Sequence, residues 1–144
     1  MKILLVCSGN TCRSPMAAGI LQKLLPAHTV SSAGIYAANG LPAAEHAVTA
    51  AREAGVDITA HRSRKITEET ASDCDYILCM TRGQKQTLEG VNANTFTLGE
   101  FAGDGGEIAD PYGGSLDDYR ACARRLEQLL RVAAERIHAE NRTV

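Results

Sequence analysis

The chain opens with Lys2-Ile3-Leu4-Leu5-Val6 and runs without a break into Cys7-Ser8-Gly9-Asn10-Thr11-Cys12-Arg13-Ser14-Pro15. Residues 2–6 form a short apolar run that reads as a buried strand. Residues 14–25 read as a helix. Met16, Ile20, Leu21 and Leu24 recur at helical spacing, Pro15 sits in the first turn where its missing N–H costs little, and Pro26 closes the segment. A strand that feeds a helix through a short polar loop is the first half of a strand-helix-strand unit, and this one sets the reading of everything that follows.

The same alternation continues outward. Residues 29–32 read as a second strand, 42–54 as an alanine-rich helix ending at Gly55, and 67–72 as a short helix. Residues 75–80 form a third strand, 81–88 a helix and 95–98 a fourth strand. Ser115 caps a last helix over residues 116–139, whose buried stripe is Leu116, Tyr119, Ala123, Leu126, Leu130 and Ile137. Alternating strands and helices predict an α/β fold: a parallel sheet covered by helices on both faces, in a single domain over residues 1–144. Residues 99–115 are the least regular stretch. Six of these seventeen residues are glycine, and they read as a mobile loop. The charge clusters at residues 61–65 and 124–131 read as solvated surface.

Composition removes several function classes. The formal net charge of −2 gives no basic footprint for nucleic acid or an acidic membrane, and four tyrosines, two phenylalanines and no tryptophan make a poor stacking platform. No apolar run approaches the roughly 18 residues of a membrane span, and the apolar start is too short for a signal peptide. The expectation is a cytoplasmic protein in which the five cysteines are thiols. No cysteine pair has the Cys-x-x-Cys spacing, so no metal site is expected, and no cofactor is called for.

The opening loop carries chemistry. It joins a strand to a helix N-terminus, where backbone N–H groups and the helix dipole favour an anion. Cys7 lies at its base as a nucleophile whose thiolate that positive field favours, and Arg13 offers a planar fork that matches two phosphate oxygens. Gly9 and Asn10 tolerate backbone angles that other residues avoid, and Ser14 can donate to the Cys7 sulfur. The loop amides of Ser8, Gly9, Asn10, Thr11, Cys12 and Arg13 would surround a phosphoryl group. An attack on phosphorus needs an acid for the leaving group. Asp110, in Asp-Pro-Tyr-Gly-Gly-Ser at residues 110–115, is the best available.

Cys-Ser-Gly-Asn-Thr-Cys-Arg-Ser-Pro near the start, Ser-Ser-Ala-Gly at residues 31–34 and Asp-Pro-Tyr-Gly-Gly-Ser near the end resemble, in this order, the low-molecular-weight protein tyrosine phosphatase family. The resemblance covers nearly the whole chain. It implies a three-layer fold with a four-stranded, parallel, twisted sheet. It also implies Cys7 as nucleophile through a phosphocysteine, Arg13 as transition-state binder and Asp110 as acid and then base. Asn10, Ser14 and His61 would hold the loop. Read on sequence alone, His61 is a surface residue.

Within that family, Thr11 and the single aromatic Tyr112 followed by two glycines look like bacterial protein-arginine phosphatases, and a hydroxyl wall suits a guanidinium better than a phenyl ring. The expected partners are proteins carrying phosphoarginine, with phosphotyrosine as the alternative. A monomer is expected, with no nucleic-acid or membrane partner. Cys12 reads as a buried residue that could also form a disulfide with oxidised Cys7. Two rivals share the loop: a thioredoxin-coupled arsenate reductase, which would need relay cysteines on a mobile segment, and a phosphate-binding module without catalysis, which would not need both Cys7 and Asp110.

Overall fold

A computed structural model describes residues 1–142 of the chain. Ten elements follow one another: β1 Lys2–Cys7, α1 Arg13–Leu24, β2 Thr29–Gly34, α2 Glu45–Glu53, α3 Glu68–Ser72, β3 Tyr76–Cys79, α4 Arg82–Leu88, β4 Thr95–Thr97, α5 Leu98–Phe101 and α6 Leu116–Arg142. The four strands form one sheet in the order β2-β1-β3-β4, and every pair is parallel.

Because successive side chains of a strand point to opposite faces, β1 supplies both sides of the sheet. Ile3, Leu5 and Cys7 belong to a large core shared with α1, α2, α5 and α6. Leu4 and Val6 belong to a smaller one closed by Ala71 of α3 and Leu88 of α4. The result is the expected three layers. After β1 the chain adds β2 on one side, then crosses to add β3 on the other. The carboxyl end of β1, where Cys7 is the last strand residue, therefore lies at the switch point where open α/β sheets bind ligands.

Several boundaries differ from the sequence reading for identifiable reasons. The predicted helix over residues 42–54 begins only at Glu45. Ala44 stays extended (φ −57°, ψ 143°) and gives its N–H to the Thr11 carbonyl at 2.9 Å instead of joining the helix. Thr67 and Thr81 are caps, not first helical residues, and each hydroxyl accepts a backbone N–H three residues on. Strand β3 covers only Tyr76–Cys79 of the predicted 75–80, and Cys74 before it donates to the Thr70 carbonyl at 3.2 Å. Leu24 and Leu116 are only half-buried, whereas the rest of both stripes packs into the core. Ser115 does cap α6: its hydroxyl accepts the Asp118 N–H at 3.2 Å while Asp118 accepts the Ser115 N–H at 2.9 Å.

The glycine-rich stretch is more ordered in layout than a mobile loop. Its beginning is α5, whose capping box pairs Thr97 with Glu100. Phe101 is buried and stacks beneath the Arg136 guanidinium, 4.1 Å from the ring centroid. Asp104 is paired with Arg125 of α6, and Ile108 is buried with its N–H on the Met80 carbonyl at 3.0 Å. Ile108 is a buried anchor between exposed neighbours, with Gly103–Gly105 and Glu107 exposed before it and Ala109 and Asp110 exposed after it.

Candidate active site

Strand β1 delivers Cys7 to the rim of the sheet, and the next five residues wrap around its sulfur before α1 begins at Arg13. Asn10 makes the wrap possible. It is the one non-glycine residue with positive φ among those described, at 57°, a conformation asparagine tolerates better than most residues. The turn points the Asn10 N–H at Cys7 Sγ, 3.3 Å away, and Ser14 Oγ lies 2.9 Å from the same sulfur. Two groups that can donate a hydrogen bond therefore converge on the sulfur.

Asn10 itself is fully buried and satisfied from three sides. Its amide nitrogen donates to Ser14 Oγ at 2.8 Å and Ser32 Oγ at 2.9 Å, and its amide oxygen accepts the Arg64 N–H at 2.9 Å. Its carbonyl accepts from His61 Nε2 at 2.7 Å. Burial depresses the pKa of His61 below its ordinary value; the Asn10 carbonyl opposes this and the neighbouring Arg62 charge adds to it. The ring is thus held neutral with its proton on Nε2. The segment around residues 61–65, read as solvated from sequence, proves to brace the loop from behind. Besides the His61 and Arg64 bonds to Asn10, Arg64 Nε donates to the Ser32 carbonyl at 2.9 Å.

The N-terminus of α1 is bare. Its cap residue, Cys12, makes no side-chain capping bond, and no acidic residue lies in the first turn. First-turn N–H groups left without a cap are a ready anion site. Cys12 turns its sulfur to the Tyr119 hydroxyl, 3.3 Å away, and burial pushes its pKa up. Arg13 is buried. Its Nη1 donates to the Ile108 carbonyl at 2.9 Å, and its Nη2 lies 3.5 Å from a carboxylate oxygen of Asp110. The other Asp110 oxygen accepts the Tyr112 N–H at 3.1 Å, which sets the direction of the carboxylate.

Cys7, Gly9, Asn10, Thr11, Cys12, Arg13, Asp110 and Tyr112 thus line one cleft of about 140 Å³. Ser8 flanks it, with its hydroxyl accepting from Gln84 Nε2 at 3.1 Å. His61 and Ser14 sit behind the lining. A larger depression of about 560 Å³ shares Asp110 and Tyr112 but continues along Ala121, Cys122 and Arg125, away from the sulfur. The small cleft is where a nucleophile, a cation, a bare helix terminus and a carboxylate meet.

Sequence reasoning passed over Ser32, Gln84, Tyr119 and the Ile108 carbonyl, all of which touch the loop from distant segments. Ser32 stood inside the quoted Ser-Ser-Ala-Gly motif. Gln84 stood in a readable Thr-x-x-Gln cap. Neither local pattern reveals the long-range contact.

Comparison with known proteins agrees with this geometry. A family model described as "Low molecular weight phosphotyrosine protein phosphatase" matches residues 2–143. A protein-arginine-phosphatase of Geobacillus stearothermophilus is 43% identical over 96% of this chain and 97% of its own length. A probable low molecular weight protein-tyrosine-phosphatase, EpsP of Ralstonia nicotianae, is 38% identical over 95% of this chain and 96% of its own. Among solved structures, a YwlE arginine phosphatase, a C7S mutant with phosphorylated active site serine, superposes with a TM-score of 0.92 at 36% identity, covering 99% of each chain.

Proposed function

This chain belongs to the low molecular weight phosphotyrosine protein phosphatase family, and on that premise we propose that it is a cysteine-dependent phosphatase of proteins phosphorylated on arginine. The observation that carries the phosphatase reading is the convergence on one small cleft of Cys7 Sγ, held by Ser14 and Asn10, with Arg13 and Asp110.

The reaction runs in two in-line displacements. Cys7 Sγ attacks phosphorus as the bond to the leaving nitrogen breaks, and Asp110 gives that nitrogen its proton. Asp110, now a base, takes a proton from water. The water oxygen attacks the phosphocysteine, the P–S bond breaks, and inorganic phosphate leaves with Cys7 restored. The loop amides of residues 8–13 and the Arg13 guanidinium meet the charge on the equatorial oxygens in both steps. Once a phosphoryl group occupies the cleft, the Asp110 side chain leaves Arg13, takes up a proton and turns to the leaving nitrogen as the carboxylic acid.

Arginine is favoured over tyrosine because the cleft wall is the Thr11 side chain, with a hydroxyl and one methyl, and because Asp110 at the mouth is a natural partner for guanidinium nitrogens. Two relatives named as arginine phosphatases support the same direction.

The thioredoxin-coupled arsenate reductase reading lacks its relay. Cys79 and Cys122 are buried, with thiols pushed up to about 12, and neither lies in the glycine-rich segment. With the five cysteines free, the cytoplasm is the compartment that fits this chemistry. The same proposal gives Cys12 a protective role: peroxide oxidises Cys7 to a sulfenic acid, and the Cys12 thiol displaces water from it to form a disulfide.

The deciding experiment compares kcat/KM on peptides carrying phosphoarginine and phosphotyrosine, before and after Thr11→Ile. The expected result is a preference for phosphoarginine that shifts toward phosphotyrosine in the variant. A parent enzyme that prefers phosphotyrosine overturns the substrate assignment and leaves the phosphatase reading intact.

A further inference from the structure

We propose that Gln84, on the first turn of α4, is a positioning residue that ties the two ends of the phosphate cradle to one another through a single buried amide. This rests on the reading of the Cys7 loop as the phosphoryl site.

The amide cannot turn. Gln84 is 5% exposed, and its Oε1 accepts two backbone N–H groups, from Met80 at 2.9 Å and Thr81 at 3.0 Å. Both are donors, so the atom facing them has to be the oxygen, and Nε2 is left pointing the other way. There it donates to Ser8 Oγ at 3.1 Å, the first residue of the loop after Cys7. One end of the cradle is thus fixed to the end of β3.

The other end reaches the same place by a different route. The Met80–Thr81 peptide, whose N–H is that of Thr81 and is held by Gln84 at 3.0 Å, also offers its carbonyl, which accepts the Ile108 N–H at 3.0 Å. The Ile108 carbonyl then accepts from Arg13 Nη1 at 2.9 Å. Arg13 is the last residue of the cradle, and this bond sets the plane of its guanidinium. Ser8 and Arg13 are therefore positioned from one peptide, with Gln84 as the side chain they share. A charge-stabilising site works by fixed donors that need no rearrangement during reaction. A misplaced Ser8 or a tilted guanidinium would cost transition-state binding even in a well-folded enzyme.

The test is a double-substitution cycle with Ser8→Ala and Gln84→Met, read as the inhibition constant for orthovanadate and as kcat/KM on a phosphorylated peptide. Losing one such hydrogen bond is expected to weaken vanadate binding by about fivefold to tenfold in either single variant. In the double variant the two losses are expected not to multiply, because they remove the same contact. Gln84→Glu is the companion variant, since it keeps both backbone acceptor bonds and therefore the fold. Its ionised carboxylate reverses the bond, accepting the Ser8 hydroxyl instead of donating to it, and sets a negative charge beside the anion cradle, whereas the protonated form restores a neutral donor. Its activity relative to the parent is expected to recover as pH is lowered, a response that a purely structural role would not give.

Losses that multiply fully, or a Gln84→Glu variant within twofold of the parent at every pH, overturn the proposal. A parent enzyme with neither turnover nor vanadate binding removes the phosphoryl-site reading and this inference together. An active parent with unaffected Gln84 variants removes the inference alone.

Discussion

The Arg13 guanidinium and the Asp110 carboxylate face one another at 3.5 Å across the mouth of the cleft, the first buried and the second half in solvent. The pair can hold only while the cleft lacks a phosphoryl group, because both partners have other work once one arrives. Replacing Asp110 by Asn keeps the turn and removes the acid. Hydrolysis of phosphoarginine peptide is expected to fall by about 10²–10⁴ in kcat, the usual range for a general acid. An aryl phosphate whose phenol leaves without a proton is expected to lose much less. Steady-state kinetics on the two substrates checks this, and an equal loss on both would rule out Asp110 as the proton donor.

Asn10→Ala tests the frame of the loop. The substitution deletes two donated bonds and one accepted bond, and it leaves an alanine in the left-handed region at φ 57°. Destabilisation of about 3 kcal/mol is expected from the unpaired buried groups and the strain. Denaturant unfolding gives the number, and phosphatase activity is expected to fall by more than the folded fraction explains.

His61 predicts a pH dependence of stability. Its folded pKa lies below 6.5 because burial penalises the charged ring. The unfolded chain therefore takes up a proton first as pH falls. Stability is fully present above 6.5 and declines as pH drops from there toward the lower folded value. Urea midpoints measured between about pH 7.5 and 5 should fall with pH, and His61→Gln should flatten the slope. His28, also depressed by burial, accounts for what remains in the variant.

Cys12 predicts the fate of the oxidised enzyme. Its thiol is engaged with Tyr119, and burial holds it protonated, so it does not compete with Cys7 for peroxide. After brief peroxide treatment, the parent is expected to regain activity with dithiothreitol and to show a Cys7–Cys12 disulfide by mass spectrometry. Cys12→Ala is expected to lose activity for good, as Cys7 proceeds to the sulfinic acid. A variant that recovers as fully as the parent would remove Cys12 from this role.

What could be read from the sequence divides along contact range. The strand, the loop and the helix after it are local: KILLV, the glycine and asparagine, and Ser-Pro sit within fifteen residues of one another and specify one connection. The three layers followed from simple alternation. The contacts that hold the loop are different in kind. Asn10 to Ser32 spans 22 residues, His61 to Asn10 spans 51 and Gln84 to Ser8 spans 76, and no period or turn signal records them. The late start of α2 belongs to the same class, since the N–H of Ala44 is claimed by Thr11 of the loop. Helix α5 was hidden for a local reason. Four residues, one of them Gly99, are too few to show a helical period.

Asn10 is clasped by β2, by the segment after α2 and by the start of α1, so the shape that receives an oxyanion exists only when these distant parts have come together. Binding and folding are then one equilibrium. Inorganic phosphate, the product of the reaction, shifts the whole chain toward its native state. At a hundredfold excess over its dissociation constant that linkage amounts to about 2.7 kcal/mol, a sizeable share of what a domain of this length has to spare.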